Sequence, residues 1–258
     1  MRLTLAGRSA ARGWAVHGFT VAALALWWAY SQLVPAYQLP GPAAVASRML
    51  AFVTEPTLTL TLGISLAHVA AAIVLAFAIG ALLALSAHFL PVTRLLIDFR
   101  ATPFLNAFSG IGWLFLGILW IGIDSRTVVF AVTMILIPFA TINLRTGLTE
   151  LDAELMELGR SLTRGRGRRL AKLMVPMLVP YMFATLRISF GVAWKVTLTA
   201  ELFGGNAGVG YLLNMARQEF DTETIFAIIL FILLFVACTE VFLFRPLQRR
   251  LDRRYGVE

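Results

Sequence analysis

Long apolar stretches alternate with short polar intervals along the whole chain. Each of the long stretches has at least about 20 residues, enough to cross roughly 30 Å of hydrocarbon as an α-helix. They cover residues 14–34, 58–87, 104–123, 127–146, 177–200 and 224–244. The pattern therefore predicts an all-α polytopic membrane protein with about six transmembrane helices.

The first stretch has a secretory signal peptide as its alternative interpretation, because three arginines precede it: Arg2, Arg8 and Arg12. Its apolar core is longer than that of a signal peptide, and no small-x-small cleavage site follows. Three bulky aromatic residues stand near its end: Trp27, Trp28 and Tyr30. We interpret residues 14–34 as an uncleaved span whose aromatic residues lie at the membrane interface.

Composition agrees with a chain dissolved in lipid. Hydrophobic residues make up 59% and charged residues 14%, whereas soluble domains carry about 25% charged residues. The net charge of +8 does not indicate nucleic-acid binding, because the basic residues lie between spans and not on one polar face. The single cysteine, Cys238, excludes an intrachain disulfide.

The basic residues predict the orientation of the chain. Of the 22 lysines and arginines, only Arg48, Arg126 and Arg217 fall between spans on one side of the membrane. Arg187 and Lys195 lie within the fifth span, and all the others belong to the opposite side. The positive-inside rule places that basic side, with both termini, in the cytoplasm. We expect one transmembrane domain over 1–258, with cytoplasmic segments at 1–13, 147–175 and 245–258.

One polar interval, Glu150 to Pro180, stands out from the apolar remainder. Its leucines recur at helical spacing and so share one face: Leu151, Leu155, Leu158 and Leu162. Acidic residues precede basic ones along this short helix, an order that suits the helix dipole. Gly165 and Gly167 interrupt the helix, and a second, basic segment follows. A helix-break-helix element at the cytoplasmic face is typical of a docking surface.

No motif for catalysis is visible. The sequence contains no Gly-x-x-x-x-Gly-Lys-Ser/Thr loop for ATP phosphates and no His-Glu-x-x-His or Cys-x-x-Cys spacing for a metal. Its three histidines, His17, His68 and His88, are far apart, and within apolar spans a hydrogen-bonded or interfacial histidine is expected. We therefore expect no catalytic residue, cofactor or metal site on this chain, which disfavours a membrane enzyme.

Residues Glu157 to Thr163, with Val175 and Pro176 beyond them, resemble the coupling motif of the permease subunits of bacterial ABC importers. Leu158 and Gly159 replace the two alanines of that motif, and Thr163 stands at its glycine position. Five further motifs resemble the nitrate/taurine/aliphatic-sulfonate branch of the same family: Leu39–Pro42, Thr185–Arg187, Gly191–Trp194, Ala200–Phe203 and Gly208–Leu212. The resemblance extends over essentially the whole chain.

The resemblance implies a type I ABC importer permease fold in the bacterial inner membrane. It implies a cytoplasmic ABC ATPase dimer that binds ATP and Mg, a second permease copy, and a periplasmic or lipid-anchored substrate-binding protein. The residues expected to contact the ATPase are Leu155, Glu157, Leu158, Gly159, Leu162, Thr163 and Pro176. The implied substrate is a small anion such as a sulfonate, taurine, nitrate or bicarbonate. The unusual motif leaves open whether the second permease is identical or related.

Charged residues at membrane depth usually line a cavity or pair with one another. Lys195 and Arg187 either lend positive potential to an anion pathway, or else pair and snorkel as structural residues. Glu201 is interpreted as a gate residue or as a partner of Lys195, although a spacing of six residues does not bring the two together on a regular helix. Asn106 and Trp194 complete the candidate pathway residues. Glu240 and Asn143 are candidates for pore or helix–helix hydrogen bonds.

An ATP-independent channel or secondary carrier is the alternative function. Such a protein needs ion-coupling carboxylates at mid-membrane or an inverted repeat with broken helices, and the sequence shows neither. An importer permease therefore remains the favoured interpretation.

Overall fold

The computed structural model describes residues 18–150 and 174–255. These residues are almost entirely helical, and no strand occurs among them. The start of the first predicted span and the segment 151–173, with the coupling motif, lie outside the described residues.

The chain divides into two compact units. The first contains residues 18–59 and 213–233, with helix α1 (Gly18–Ser31) and helix α2 (Pro42–Thr54). The short helix α2 begins at a proline, which is favoured at the first helical position because its ring fixes φ. Within this unit the ring of Phe52 stacks on Phe231 at 5.3 Å, and Arg48 Nε donates to Thr224 Oγ1 at 2.9 Å.

The second unit contains residues 60–212 and 234–255. The described helices that follow α2, in chain order, are α3 (Pro56–Phe89), α4 (Pro91–Ala107), α5 (Gly110–Ile121), α6 (Ser125–Thr149), α7 (Val175–Gly204), α8 (Val209–Gln218), α9 (Thr222–Thr239) and α10 (Arg245–Tyr255). Three of them, α3, α8 and α9, contain residues of both units. Helix α6 packs against α5 and α7 and supplies much of the core, including Val128, Val132, Leu136 and Ala140.

Four described helices are long and apolar enough to cross a membrane: α3, α6, α7 and the continuous run from α9 into α10. They correspond to four of the predicted spans, and each of the four extends beyond both predicted ends. The predicted extramembrane segments 35–56 and 201–223 contain the short helices α2 and α8.

The third predicted span, residues 104–123, is not one helix. Helices α4 and α5 meet at an angle of 84°. Phe108 and Ser109 between them have extended backbone conformations, with ψ of 132° and 140°, which ends one helix and begins the next. The ring of Phe108 contacts the ring of Trp113 at a centroid distance of 4.7 Å.

Small residues bring α3 and α6 into close contact. A Cβ added to Gly80 would lie 2.7 Å from Cβ of Ala140, closer than side-chain carbons pack. Small residues at such crossings are typical of membrane helices, where association depends on van der Waals contact because lipid removes the hydrophobic drive. Elsewhere on α3, Ser65 and His68 contact Glu201 in the last turn of α7.

Candidate functional site

A fully buried carboxylate joins three segments at the carboxyl end of α7. The side chain of Glu201 has 0% exposure. Its Oε2 accepts hydrogen bonds from Ser65 Oγ and from the backbone N–H of Gly210, both at 2.8 Å, and its Oε1 lies 2.8 Å from His68 Nδ1. Ser65 and Gly210 therefore satisfy one oxygen of this buried carboxyl group, and the imidazole of His68 lies within hydrogen-bonding distance of the other.

The loop after α7 is shaped around this carboxylate. Gly208 has φ +101°, a conformation that side chains disfavour, and a Cβ there would overlap the carboxyl group of Glu201. The backbone N–H of Val209 donates to Ser65 Oγ at 2.7 Å, so that Ser65 receives one hydrogen bond and passes another to Glu201. The first turn of α8 is thereby tied to both α3 and α7.

A cavity of about 720 Å³ lies between α7 and the carboxyl-terminal helices. Arg187 lines this cavity. Its Nε atom donates to Glu240 Oε2 at 3.1 Å, Nη2 donates to Glu240 Oε1, and Nη1 donates to Gln248 Oε1. Arg187 therefore has a carboxylate partner, as its interpretation as a structural residue requires. Lys195 lines the same cavity further along α7.

A second cavity, of about 290 Å³, lies where α4 and α5 bend. Lys195 and Thr199 of α7 line it together with Ser109 and Gly110, the residues that open α5. Lys195 is exposed, and no carboxylate pairs with it among the residues that the structure describes. Glu201, its suggested partner, is instead enclosed by Ser65, His68 and Gly210.

A second arginine–carboxylate pair joins α4 to α6. Arg145 Nε donates to Asp98 Oδ1 at 3.1 Å, and Nη2 donates to Asp98 Oδ2 at 2.6 Å. Arg94 stands 3.7 Å from the same carboxylate on the exposed side. A small cavity of about 250 Å³ lies against this pair.

The remaining predicted residues are dispersed. Asn106 is exposed near the end of α4, whereas Trp194 is buried between Phe190 and Phe235. Pro176 stands in the first turn of α7. The other predicted ATPase-contact residues lie outside the described part of the chain: Leu155, Glu157, Leu158, Gly159, Leu162 and Thr163. The structure therefore brings Arg187 and Lys195 to one cavity and separates them from Glu201.

Sequence reasoning missed Ser65, Asp98 and Arg145 as partners of buried or half-buried charges. Their partners are 47 to 136 residues away in sequence, so no local spacing indicates the contacts. For His68 the sequence did indicate a contact, because a histidine within an apolar span is expected to be hydrogen-bonded or interfacial. Its partner in the structure is Glu201. Among the described residues, no group of three or more His, Cys, Asp or Glu side chains is placed to hold a metal ion.

Comparison with known proteins gives one family. Residues 72–257 match the family described as the binding-protein-dependent transport system inner membrane component. A protein described as an aliphatic sulfonates transport permease of Bacillus subtilis is 28% identical over 235 residues, covering 88% of this chain and 83% of that protein.

Two further relatives show a similar extent. The taurine transport system permease protein of Escherichia coli is 24% identical over 243 residues, with 90% of this chain and 86% of that protein covered. The nitrate import permease protein of Synechococcus elongatus is 27% identical over 209 residues, with 74% and 71% covered. With its apolar helices and its match over most of its length, the chain belongs to the family of binding-protein-dependent transport system inner membrane components, the permease subunits of ABC importers.

Proposed function

We propose that this permease moves a small anion across the inner membrane, with Lys195 facing the pathway. The anion is of the sulfonate, nitrate or bicarbonate type and is delivered by an extracytoplasmic binding protein. A second permease copy completes the pathway, and a separate ATPase dimer binds ATP and Mg and drives the cycle. The chain itself is a transport subunit and carries out no catalysis. The names of the relatives support this substrate class, since sulfonates and nitrate are anions and taurine carries a sulfonate group.

The placement of Lys195 is the observation that carries the proposal. A cation at membrane depth is costly unless it pairs or faces water. Lys195 is exposed, lines two cavities and has no carboxylate partner among the described residues. It lies nine residues before the end of α7, roughly 14 Å along the helix axis. A fixed cation in a water-filled cavity with low-dielectric walls raises the local concentration of anions.

Residues 151–173 supply the contact with the ATPase in this proposal. The leucine stripe packs on the ATPase and on the remainder of the segment, with Leu155, Leu158 and Leu162 at its centre. Glu157 is the polar anchor of that contact, and Gly159 and Thr163, which depart from the family motif, belong to the same contact. Pro176 fixes the turn into α7, because proline at a helix start restricts the entering chain.

Reconstitution tests the proposal directly. The permease is placed in proteoliposomes with its ATPase, and its binding protein is added outside. We expect uptake of labelled taurine, an alkanesulfonate, nitrate or bicarbonate only when ATP is present with the ATPase. Accumulation against a gradient by the permease alone would contradict the proposal and support the ATP-independent carrier. A pair of different permeases in the purified complex, measured by native mass spectrometry, would establish a heterodimer.

A further inference from the structure

Two arginine–carboxylate pairs in the described part of the chain share one geometry. In each, Nε and Nη2 of the guanidinium donate to the two oxygens of a single carboxylate: Arg145 to Asp98, and Arg187 to Glu240. This side-on fork fixes the relative orientation of both side chains, which a single hydrogen bond does not. Each pair therefore holds two helices in a defined register.

Both carboxylates stand in π-helical turns. Asp98 lies in the turn Ile97–Ala101 within α4, and Glu240 opens the turn Glu240–Phe244 between α9 and α10. A π-turn inserts a residue into the α-helical repeat, and such turns frequently occur at functional sites. They are positions at which a long helix can change direction without losing its hydrogen bonds. Arg187 also binds Gln248, beyond its turn, so that the guanidinium contacts both sides of that turn.

Both arginines belong to the two helices that flank residues 151–173. Arg145 lies four residues before the end of α6 at Thr149, and Arg187 lies twelve residues after the start of α7 at Val175. A force applied to residues 151–173 acts first on these two helices. Each arginine then connects one of them to a helix that is distant in sequence.

The energetics do not favour a purely stabilising role. Hydrogen bonds between membrane helices contribute little to stability on average, and replacing a buried ion pair by apolar residues is often neutral. The side chains of the Arg145–Asp98 pair are 12% and 28% exposed, and those of the Arg187–Glu240 pair are 34% and 30% exposed. Charges in such positions contribute mainly to register and orientation.

We propose that the two pairs are the joints that transmit ATPase-driven movement of α6 and α7 to the rest of the permease. Arg145–Asp98 moves α4 and, through the bend, α5. Arg187–Glu240 moves α9 and α10. The four side chains are positioning residues for ATP-coupled transport. This inference rests on the proposed function, because it requires that an ATPase act on residues 151–173.

The test uses one reporter for each joint in the complete complex with the ATPase. The single cysteine, Cys238, is exposed and lies two residues before Glu240, so a bimane label there reports on the α9 joint. A second reporter is Ala107→Cys at the end of α4, made with Cys238→Ser. The measured quantity is the change in bimane emission between the nucleotide-free complex and the complex trapped with ATP and vanadate.

We expect Asp98→Asn to abolish the change at position 107 and to preserve it at position 238. Glu240→Gln should do the reverse. The charge swap Asp98→Arg with Arg145→Asp should restore the signal at position 107. Arg94→Gln is the matched control, because Arg94 faces the same carboxylate at 3.7 Å without forming the fork, and it should behave as the reference chain.

Three results would overturn the inference. In the first, Asp98→Asn and Glu240→Gln both respond as the reference chain does. In the second, each of these two variants loses both signals. In the third, the two neutral variants and the charge-swapped variant all fail to assemble with the ATPase. The last two would assign the pairs to folding. A reference complex with no ATP-dependent change at either position would instead reject the proposed function, and the inference with it.

Discussion

The imidazole Nδ1 of His68 lies 2.8 Å from Oε1 of Glu201 and so joins the middle of α3 to the last turn of α7. The other carboxylate oxygen is held by Ser65 and by the backbone of Gly210. Because these contacts converge on one fully buried group, they hold α3, the end of α7 and the start of α8 together as one block.

Glu201→Ala should destabilise the protein by about 3 kcal/mol, because the buried donors of Ser65 and Gly210 lose their common acceptor. The measurement is thermal unfolding of the detergent-solubilised chain. Glu223→Ala is the control, since Glu223 is exposed at the start of α9, and it should lower the unfolding temperature far less. Equal unfolding temperatures for both variants would show that the buried carboxylate contributes nothing.

Gly208→Ala should destabilise the same block by at least about 2 kcal/mol, because the left-handed backbone and the clash with Glu201 both oppose a Cβ. Gly63→Ala is the matched control. Gly63 lies within α3, and no atom within 4 Å would meet its Cβ. We expect this control to be neutral or to stabilise by up to about 1 kcal/mol. Similar unfolding curves for the two variants would contradict the described loop.

Substitutions of Trp194 distinguish a packing role of this side chain from a role in the transport pathway. Its side chain is 1% exposed, and its indole N–H has no partner in the described part of the chain. Trp194→Phe should change stability by less than about 1 kcal/mol, whereas Trp194→Ala should cost about 4 kcal/mol, because it leaves a cavity between Phe190 and Phe235. Unfolding and uptake are measured on the same preparations. Normal stability with altered substrate selectivity in Trp194→Phe would indicate contact with the pathway.

Lys195→Gln should reduce ATP-dependent uptake of nitrate or an alkanesulfonate on the order of tenfold, because the pathway loses its fixed cation. Lys195→Arg should keep most of the activity. Arg217→Gln is the control: Arg217 is exposed on α8, where it donates to Asn214. Unchanged initial uptake rates in Lys195→Gln would place the lysine outside the anion pathway.

Glu157→Arg should abolish copurification of the ATPase while the variant still inserts into the membrane, because the anchor of the proposed contact reverses its charge. Glu219→Arg reverses an exposed carboxylate in a segment predicted to face the other side, and it should retain the ATPase. The readout is the amount of ATPase recovered with the tagged permease. Retained binding together with normal transport would reject the coupling role of Glu157.

Hydrophobic pattern predicts the helical membrane class well, because a span needs an apolar sequence of sufficient length. It does not predict the bend at Phe108 and Ser109, since residues on both sides are equally apolar and the break depends on backbone conformation. Local sequence pattern also does not predict the partners of charged residues. Arg187 and Glu240, for example, are 53 residues apart and meet only through helix packing. Motif resemblance indicated the family, whereas the residues that enclose Glu201 became visible only in the structure.

Helix α3 has a practical consequence for the membranes in which the protein works. Its 34 residues extend for roughly 51 Å, well beyond about 30 Å of hydrocarbon. No Asp, Glu, Lys or Arg occurs between Glu55 and Arg94. A thicker or thinner bilayer therefore shifts the lipid boundary along an uncharged part of the helix. No charged side chain of this helix then enters the hydrocarbon. The protein should therefore tolerate changes in acyl-chain length at this helix.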